Sequence, residues 1–301
     1  MDNYNFSVII PTKNTIKLLQ DCLDSIPLRN DLEVIIVDDN SNPQLVDFEH
    51  YPGKDRPNTQ VIFTKDDKGA GFARNVGVLN AKGKWIIFSD SDDTFETDSI
   101  NKMLNTYRDF SADIIFFNAN RVDELTGEVL SQHLSKNKYE KDKKHYEDFL
   151  RYRSNVPWAK MIKRELIEKN SIRFSEVPAA NDLFFSAVSG YYAKGVIIDF
   201  TVIYNWKVRK SGSITSTVTR KSLFSKLCEA SKKNEFLWEK GKKTWCTNLY
   251  TAFYWRLRGV GLNHKEAIRG IDKYVNVGPM VQWKIEFWLS WPFDVIRKKT
   301  H

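Results

Sequence analysis

Short apolar segments alternate with segments of helical spacing near the start of the chain, and this alternation restricts the fold more than any other feature. Four apolar segments have the length and the Val/Ile content of buried strands: Phe6–Thr12, Glu33–Asp38, Gln60–Thr64 and Lys84–Ser89. Helical spacing or composition predicts helices over Leu18–Ile26, Gly69–Ala81 and Asp98–Phe110. This order predicts an α/β fold with a mainly parallel central sheet and right-handed crossovers.

The strand ends of the predicted sheet are polar in a consistent way. The first strand leads into Thr12 and Asn14, the second ends in Asp38-Asp39-Asn40-Ser41, and the fourth in Asp90-Ser91-Asp92-Asp93. Because ligands collect at the carboxyl ends of parallel strands, these residues are expected to line one nucleotide crevice. Neither Gly-x-Gly-x-x-Gly after the first strand nor Gly-x-x-x-x-Gly-Lys-Ser/Thr occurs, which argues against dinucleotide-binding and P-loop proteins.

Three carboxylates, Asp90, Asp92 and Asp93, follow the fourth strand directly. Like charges this close either raise a pKa or require a cation. Oxygen ligands favour Mg²⁺ or Mn²⁺, ions that keep open positions for substrate phosphates. The cluster therefore predicts a metal site for a phosphorylated substrate, with a solvated acidic turn as the alternative.

Composition is that of a globular protein, with 42% hydrophobic and 28% charged residues in a chain of 301. This length suits one large α/β domain with a smaller appendage. The three cysteines are too few and too widely spaced for a disulfide framework. The first residues lack a signal peptide and no apolar run reaches about 20 residues. We expect a cytoplasmic protein, either free or at the inner face of the plasma membrane.

Charge is divided unevenly along the chain. Residues 1–150 carry 18 basic and 26 acidic side chains, whereas residues 151–301 carry 28 and 12. A basic half suits an anionic partner such as nucleic acid or a lipid surface. No zinc finger, RNP or helix-turn-helix signature accompanies it, so we expect no nucleic-acid partner.

The remaining elements are predicted from periodicity and turn residues. Residues 112–130 indicate a strand and a hairpin, and residues 136–144 a solvated, charged loop. Further helices are expected over Tyr146–Tyr152, Lys160–Lys169 and Asn181–Ala193, a strand over Val196–Val208, and helices from Lys221 onward. We place a domain boundary near residue 216, between domain 1–216 and a helical, basic and aromatic region 217–301.

Seven short motifs in this order resemble those of the inverting nucleotide-sugar glycosyltransferases of family 2, of the bacterial polysaccharide type, which have the GT-A fold. The resemblance covers roughly residues 5–216. It is carried by Ser7–Asn14 (SVIIPTKN), Val34–Ser41 (VIIVDDNS), Gly69–Gly77 (GAGFARNVG), Asp90–Asp93 (DSDD), Pro157–Lys160 (PWAK), Asn181–Phe185 (NDLFF) and the stretch from Tyr204 to Ser213.

The resemblance implies transfer of a hexose or N-acetylhexosamine from a UDP-sugar, with Mn²⁺ or Mg²⁺, to a saccharide acceptor that is free or lipid-linked. The product would enter cell-surface polysaccharide. The donor-side residues that it implies are Pro11, Thr12, Asn14, Asp39, Asp67, Arg74, Asp90, Ser91 and Arg209. Among these, Asp39 would accept the uracil N–H, or else form a helix N-cap or an Asx turn through Asn40-Ser41. Arg74 would face the diphosphate or the carboxylates, or else pair with surface acids.

The resemblance also assigns the metal and the base. Asp92 would ligate the metal and Asp90 would contact ribose and metal-bound water, whereas Asp93 would orient Asp92 or cap the next helix, with direct metal ligation as the alternative. Inversion requires a carboxylate that deprotonates the acceptor from the face opposite the leaving group. The family's base is the Asp of a Glu-Asp pair, here Asn181-Asp182, so Asp182 takes the role or is an ordinary acid at a helix start.

The resemblance assigns the acceptor-site residues, and the residues next to the segment that closes over the donor, less specifically. Asn181 and Trp158 would lie at the acceptor site, with Trp158 either a platform for a sugar face or a packed core residue. Arg209 and Lys210 would contact phosphate, or form a solvated basic turn. Tyr204, Arg209 and Ser213 would precede a mobile segment that closes over the pyrophosphate. The residues 281–299 predict an amphipathic helix with a basic end, which suits either membrane contact or packing against the protein.

Two other classes of protein remain open. Asp90-Ser91-Asp92-Asp93-Thr94 after a strand also fits the Asp-x-Asp-x-Thr motif of haloacid-dehalogenase-type phosphatases, although that family places it on the first strand. The second class is a non-catalytic nucleotide-sugar-binding protein, suggested by the replacement of the family's Glu by Asn181. Phosphomonoester cleavage would identify the first class, and sugar-nucleotide binding without turnover the second.

Overall fold

A computed structural model describes residues 4–209, 218–276 and 283–287 of the chain. The chain divides into two compact units, Met1–Ser213 and Ile214–His301. The predicted domain boundary near residue 216, the residues Lys210 and Ser213, and most of the predicted tail helix 281–299 lie outside the described residues.

Nine strands in the described part of the first unit form one sheet. They are β1 (Phe6–Thr12), β2 (Leu32–Asp39), β3 (Thr59–Thr64), β4 (Trp85–Phe88), β5 (Thr94–Phe95), β6 (Ile114–Asp123), β7 (Val129–Gln132), β8 (Lys160–Lys163) and β9 (Val196–Val208). Their order is β3-β2-β1-β4-β8-β6-β9-β5, with β7 beside β6. The first four are mutually parallel, as predicted, and β6 is parallel to β9.

The parallel part of the sheet is buried on both faces. Every residue of β1 and of β2 is buried, the pattern expected for strands that lie between two layers of helices. The helices of this unit are α1 (Ile16–Asp24), α2 (Ala70–Asn80), α3 (Thr97–Tyr107), α4 (Lys136–Lys141), α5 (Lys143–Tyr152), α6 (Arg164–Lys169) and α7 (Asp182–Tyr192). On α2, a Cβ at Gly77 would lie 2.3 Å from Ile9 Cγ2, so glycine lets this helix approach β1 closely.

The prediction of one helix over Lys160–Lys169 is wrong in its first part. Residues Lys160–Lys163 form β8, which is antiparallel to both β4 and β6, and α6 begins only at Arg164. Met161 is completely buried between these neighbours. Pairing with two strands therefore overrides the local helical pattern, and it makes the sheet mixed at this position.

The prediction of a loop over residues 136–144 is also wrong. The segment forms α4 and the start of α5, and both helices begin at a capping side chain. Ser135 Oγ accepts the Lys138 amide, and Asp142 accepts the His145 amide. These caps satisfy amide groups at the helix starts, so the charged residues remain exposed but helical.

The described part of the second unit is helical, as predicted from Lys221 onward. It contains α8 (Arg220–Glu239), a 3₁₀ turn (Lys243–Trp245), α9 (Leu249–Gly259), α10 (His264–Asp272) and a helical segment at 283–287. Trp283 and Phe287 of that segment are buried in the core of this unit, where Phe287 lies against Tyr254. Among the described residues, none of the helices combines the length and the apolar character needed to span a bilayer.

Candidate active site

The acidic segment after β4 sends its carboxylates into different surroundings. Asp93 is buried and accepts hydrogen bonds from the Tyr204 hydroxyl at 2.9 Å and from the Lys207 amide at 2.8 Å. Burial raises the pKa of Asp93 well above its usual range, and the nearby charges of Asp90 and Asp92 add to the effect. Asp93 therefore ties the end of β4 to β9, which leaves Asp90 and Asp92 to meet a ligand.

Arg74, on α2, joins Asp90 to the start of α7. Its Nη2 lies 2.5 Å from Asp90 Oδ1, and its Nη1 lies 2.9 Å from Asn181 Oδ1. The side chain is buried, with the guanidinium 5.4 Å from the ring centroid of Phe174. One cation thus connects the acidic strand end to the residue that precedes Asp182.

Asp92 forms an ion pair with Arg209, which follows β9. Arg209 Nη1 lies 3.3 Å from Asp92 Oδ2, while its Nε lies 2.8 Å and 2.7 Å from the two carboxylate oxygens of Glu124. The Arg209 side chain is only 20% exposed, so it is not part of a solvated basic turn. Burial raises the pKa of Asp92, and the neighbouring Asp90 raises it further.

Hydroxyl and amide groups link the ends of β1, β2 and β4. Thr12 Oγ1 lies 3.0 Å from Thr15 Oγ1, which lies 3.1 Å from Ser91 Oγ. Asn14, in the left-handed region at φ +58°, donates its amide to Ser41 Oγ at 2.8 Å. Three of the predicted pocket residues, Thr12, Asn14 and Ser91, therefore share one polar rim.

Asp39, at the end of β2, is 2% exposed and already hydrogen-bonded. It accepts the Gly69 amide at 2.6 Å, the Lys68 amide at 3.3 Å and the Thr64 hydroxyl at 3.2 Å. A carboxylate has about four acceptor positions, so these three donors leave room for one further N–H. Through its bonds to the Lys68 and Gly69 amides, Asp39 also holds the loop that leads into α2.

The neighbouring donor-side residues differ in exposure. Asp38, and not Asp39, makes the turn through Ser41, since its Oδ1 accepts the Ser41 amide at 2.8 Å. Asp67, at φ +52°, is exposed and forms an ion pair with Lys13. Pro11 is buried within β1. Of these residues, Asp67 is the one accessible from solvent.

Asp182 is the first residue of α7, where the helix dipole favours a carboxylate. Burial raises its pKa, and the positive charge of Arg74 opposes this effect. Lys160, buried on β8, donates a hydrogen bond to the Ser154 carbonyl at 2.9 Å. Burial lowers the pKa of Lys160 to about 7, against the opposing influence of Asp182. An acid and a base whose pKa values are both shifted by burial, and whose charges influence each other, are candidates for a functional site.

An aromatic stack runs outward from the core beside this site. Trp158 is 5% exposed and stacks on Tyr204, with ring centroids 5.3 Å apart, and on Trp206 at 5.9 Å. Trp206 is 39% exposed, and the Arg121 guanidinium lies 5.6 Å from its ring. Trp158 is therefore a core residue, and the end of the stack that a sugar can reach is Trp206.

The residues present fit a metal whose coordination is completed by substrate. In the described part of the chain, no three His, Cys, Asp or Glu side chains are grouped so as to hold an ion by themselves. Asp92 would provide an oxygen ligand, with Asp90 beside it, and Mg²⁺ typically combines one or two carboxylates with substrate phosphates. Burial raises the pKa of Asp92, and the negative charge of Asp90 raises it further; a cation would offset the repulsion between these two carboxylates.

Two residues of the site escaped the sequence reasoning. Glu124 follows β6 and looks like an ordinary turn residue, and nothing in the sequence pairs it with Arg209. Trp206 is two residues beyond Tyr204 on one strand, so strand periodicity places both on the same face. The two-residue spacing of Tyr204 and Trp206 could therefore have predicted that the aromatic stack includes Trp206.

Comparison with known proteins identifies the family. Residues 7–170 match the family model described as glycosyl transferase family 2. The chain is 30% identical over 253 residues to EpsH of Bacillus subtilis (strain 168), which is named as a glycosyltransferase, and the match covers 80% of this chain and 72% of that protein. It is 26% identical over 216 residues to the poly(ribitol-phosphate) beta-glucosyltransferase of Bacillus spizizenii, covering 68% of this chain but 32% of that protein.

Solved structures agree on the fold. The crystal structure of residues 1–349 of S. aureus TarS in complex with UDP-GlcNAc superposes with a TM-score of 0.64 at 18% identity, covering 90% of this chain and 80% of that one. The mannosyltransferase PcManGT of Pyrobaculum calidifontis, in complex with GDP-Man and Mn²⁺, superposes with a TM-score of 0.55 at 16% identity, covering 96% of this chain and 87% of that one. The chain therefore belongs to glycosyltransferase family 2, with the GT-A fold, and is of the bacterial polysaccharide type.

Proposed function

We propose that this glycosyltransferase moves a hexose or N-acetylhexosamine from a UDP-sugar to a saccharide acceptor, with inversion at the anomeric carbon, in cell-surface polysaccharide synthesis. The observation that carries the proposal is the pair of hydrogen bonds from Arg74 to Asp90 and to Asn181. These bonds hold the donor-side acid at a fixed separation from the residue beside Asp182. Donor and base would then be oriented by one rigid side chain.

The donor side is supported by the polar rim at the strand ends. Asp39 has one acceptor position left for a ring N–H, and Thr12, Asn14 and Ser91 lie on the connected rim. TarS has been solved with UDP-GlcNAc and PcManGT with GDP-Man, which supports a sugar nucleotide as donor. The choice of UDP over other nucleotides follows the uracil-type contact proposed for Asp39.

Asp182 would act as the general base. Its carboxylate would accept the proton of the acceptor hydroxyl while that oxygen attacks the anomeric carbon from the face opposite the departing UDP. Burial raises the pKa of Asp182, which strengthens it as a proton acceptor, and the nearby charges of Arg74 and Lys160 keep the ionised form accessible. The two carboxylates thus have separate roles, since Asp182 takes the proton and Asp92 faces the leaving group.

Asp92, with Asp90 beside it, would hold the divalent cation. When bound, Mn²⁺ or Mg²⁺ offsets the negative charge on the departing nucleoside diphosphate. Arg209 forms an ion pair with Asp92, so it would supply a second positive charge, besides that of the cation, near the same phosphates. This arrangement suits leaving-group stabilisation and needs no nucleophilic carboxylate, in contrast to the phosphatase alternative, which the family assignment excludes.

The acceptor side is supported by Trp206. Its exposed ring continues the stack through Trp158 and offers an apolar surface to a sugar face, while Arg121 adds a positive charge beside it. Asn181 is held by Arg74 next to the base, where a hydroxyl of the acceptor would approach. An acceptor saccharide, free or lipid-linked, would thus stack on Trp206 with its reactive hydroxyl toward Asp182.

Peripheral membrane contact through the segment 281–299, at the inner face of the plasma membrane, remains a proposal based on its Trp-rich and basic composition. Within the described residues, Trp283 and Phe287 are buried whereas Ile285 is exposed, so we expect the contact to be made mainly by residues after Phe287. Co-sedimentation with anionic liposomes, with and without residues 288–301, tests this. Equal pelleting of the two proteins would contradict it.

The function as a whole is tested by a transfer assay with a panel of sugar nucleotides, Mn²⁺ and oligosaccharide acceptors. We expect a product whose anomeric configuration, determined by NMR, is opposite to that of the donor. We also expect its formation to require a divalent cation. Sugar-nucleotide binding without turnover across the panel would favour the non-catalytic alternative. A product of retained configuration would contradict the inverting mechanism.

A further inference from the structure

Asp92, Glu124 and Arg209 form a cluster from three separate strand ends. Glu124 follows β6 and Arg209 follows β9, and the two strands are parallel neighbours with Asp123 paired to Val208. The Glu124 amide also donates to the Val208 carbonyl at 3.2 Å. The backbone register of β6 and β9 therefore places Glu124 beside Arg209, and this placement does not depend on Asp92.

The guanidinium of Arg209 is held unequally by its two partners. Nε lies 2.8 Å and 2.7 Å from the two oxygens of Glu124, whereas Nη1 lies 3.3 Å from Asp92, near the long limit for a charged hydrogen bond. Asp92 is also the more exposed carboxylate, at 39% against 25% for Glu124. The contact to Glu124 is thus the anchor and the contact to Asp92 the one that separates more easily.

One nitrogen of the same guanidinium has no acceptor. Nη2 of Arg209 is buried and makes no hydrogen bond in the described structure. A buried guanidinium N–H without an acceptor is unfavourable, and an anionic oxygen such as that of a phosphate is the partner that suits it. In addition, two carboxylates here share one guanidinium, so one negative charge is left for a second cation.

We propose that Arg209 is the resting counter-ion of Asp92, and that Glu124 is the positioning residue that lets Asp92 exchange this guanidinium for a divalent cation. In the resting protein Arg209 neutralises Asp92. When the sugar nucleotide and the cation arrive together, Arg209 stays on Glu124, releases Asp92, and donates its free nitrogens to the diphosphate. This inference rests on the proposed metal-dependent donor site.

For the variant Arg209→Gln, the exchange predicts opposite changes in the affinities for Mn²⁺ and for UDP. In Arg209→Gln the competing guanidinium is gone, so Mn²⁺ alone binds about five-fold more tightly, while UDP in the presence of Mn²⁺ binds about five-fold more weakly. In Glu124→Gln the guanidinium is left to Asp92 alone, so Mn²⁺ alone binds about five-fold more weakly. Titration calorimetry or Mn²⁺ EPR on the full chain gives both affinities without any turnover.

Two further variants separate positioning from general damage. The double variant Glu124→Gln/Arg209→Gln is expected to bind Mn²⁺ nearly as Arg209→Gln does, because Glu124 acts chiefly through Arg209 and its direct charge effect on Asp92 is smaller. Glu128→Gln removes an exposed acid from the same hairpin and is expected to leave both affinities unchanged. Thermal unfolding of each protein confirms that it is folded.

The outcomes are distinct. Weaker Mn²⁺ binding in Arg209→Gln, or unchanged Mn²⁺ binding in Glu124→Gln while the wild type binds Mn²⁺ normally, would overturn the exchange and leave the proposed function standing. A wild type that binds UDP identically with and without Mn²⁺, and shows no Mn²⁺ binding, would overturn both the exchange and the metal-dependent site.

Discussion

The hydroxyl of Tyr204 lies 2.9 Å from the carboxylate of Asp93 and joins two distant parts of the chain at the acidic strand end. The same hydroxyl accepts the amide of Asp90 at 3.0 Å. The first interaction is buried and the second is partly buried, and together they fix the backbone that carries Asp90 and Asp92. The rigidity of the proposed donor site thus depends on a residue for which we propose no contact with metal or substrate.

Removal of that hydroxyl is expected to destabilise the protein. Tyr204→Phe leaves a buried acceptor on Asp93 and a partly buried amide on Asp90 without their partner, which costs about 1–3 kcal/mol in the free energy of unfolding. Urea unfolding of the variant against the wild type measures the loss. Equal stability of the two proteins would show that another donor replaces the hydroxyl.

Asp182→Asn is expected to remove transfer and leave donor binding intact. The amide keeps the shape of the side chain but cannot accept the acceptor's proton, so the rate falls by about 10²–10⁴. Single-turnover transfer and UDP titration are measured on the same protein. Transfer at a rate near that of the wild type would refute the role of Asp182 as base.

Asp92→Asn is expected to abolish the dependence of UDP binding on Mn²⁺, because the amide carries no charge to balance the cation. UDP affinity measured with Mn²⁺ and with EDTA should then be equal. Asp98→Asn, which changes an exposed acid at the start of α3, is the matched control and should keep the wild-type difference. If UDP binding to Asp92→Asn still depended on Mn²⁺, a residue other than Asp92 would be the metal ligand.

Trp206→Ala is expected to raise the KM for acceptor about five-fold and to leave the KM for donor unchanged, because only the stacking surface is removed. Trp206→Phe keeps an aromatic face and should recover most of the affinity. Phe110→Ala, at another exposed aromatic residue, serves as control. Equal changes in both KM values would indicate a general structural effect.

Lys160 is expected to make stability depend on pH. Burial lowers its pKa to about 7 in the folded protein, against 10.5 for an ordinary lysine. Between these values the unfolded chain binds more protons than the folded one, so the free energy of unfolding rises with pH in this window. The penalty of the buried charge is therefore greatest below the folded pKa.

Lys160→Met lacks this titration, so its stability advantage over the wild type is expected to shrink by several kcal/mol from about pH 6.5 to about pH 9.5. Urea unfolding of both proteins at the two pH values gives the difference, in which the other titrating groups cancel. Parallel pH profiles would contradict a lowered pKa at this position.

Part of the proposed donor site could be predicted from local patterns in the chain. Apolar strands that end in polar residues predicted a common rim with Asp39 and Asp92, because strand ends in a parallel sheet meet at one edge, whereas Asp182 was predicted only from the resemblance to the family. The order of the short motifs was enough for the family. These features depend on residues close together in sequence, where periodicity and turn chemistry are decisive.

The tertiary structure decided what each side chain contacts. Lys160 became part of β8 because β4 and β6 pair with that strand on its two sides, and Trp158 became core because Tyr204 covers it. Glu124 met Arg209, 85 residues later in the chain, through the parallel pairing of β6 and β9. The sequence by itself determined the family and the chemical groups available, whereas the pairing of those groups followed from strand order, which local residue patterns do not encode.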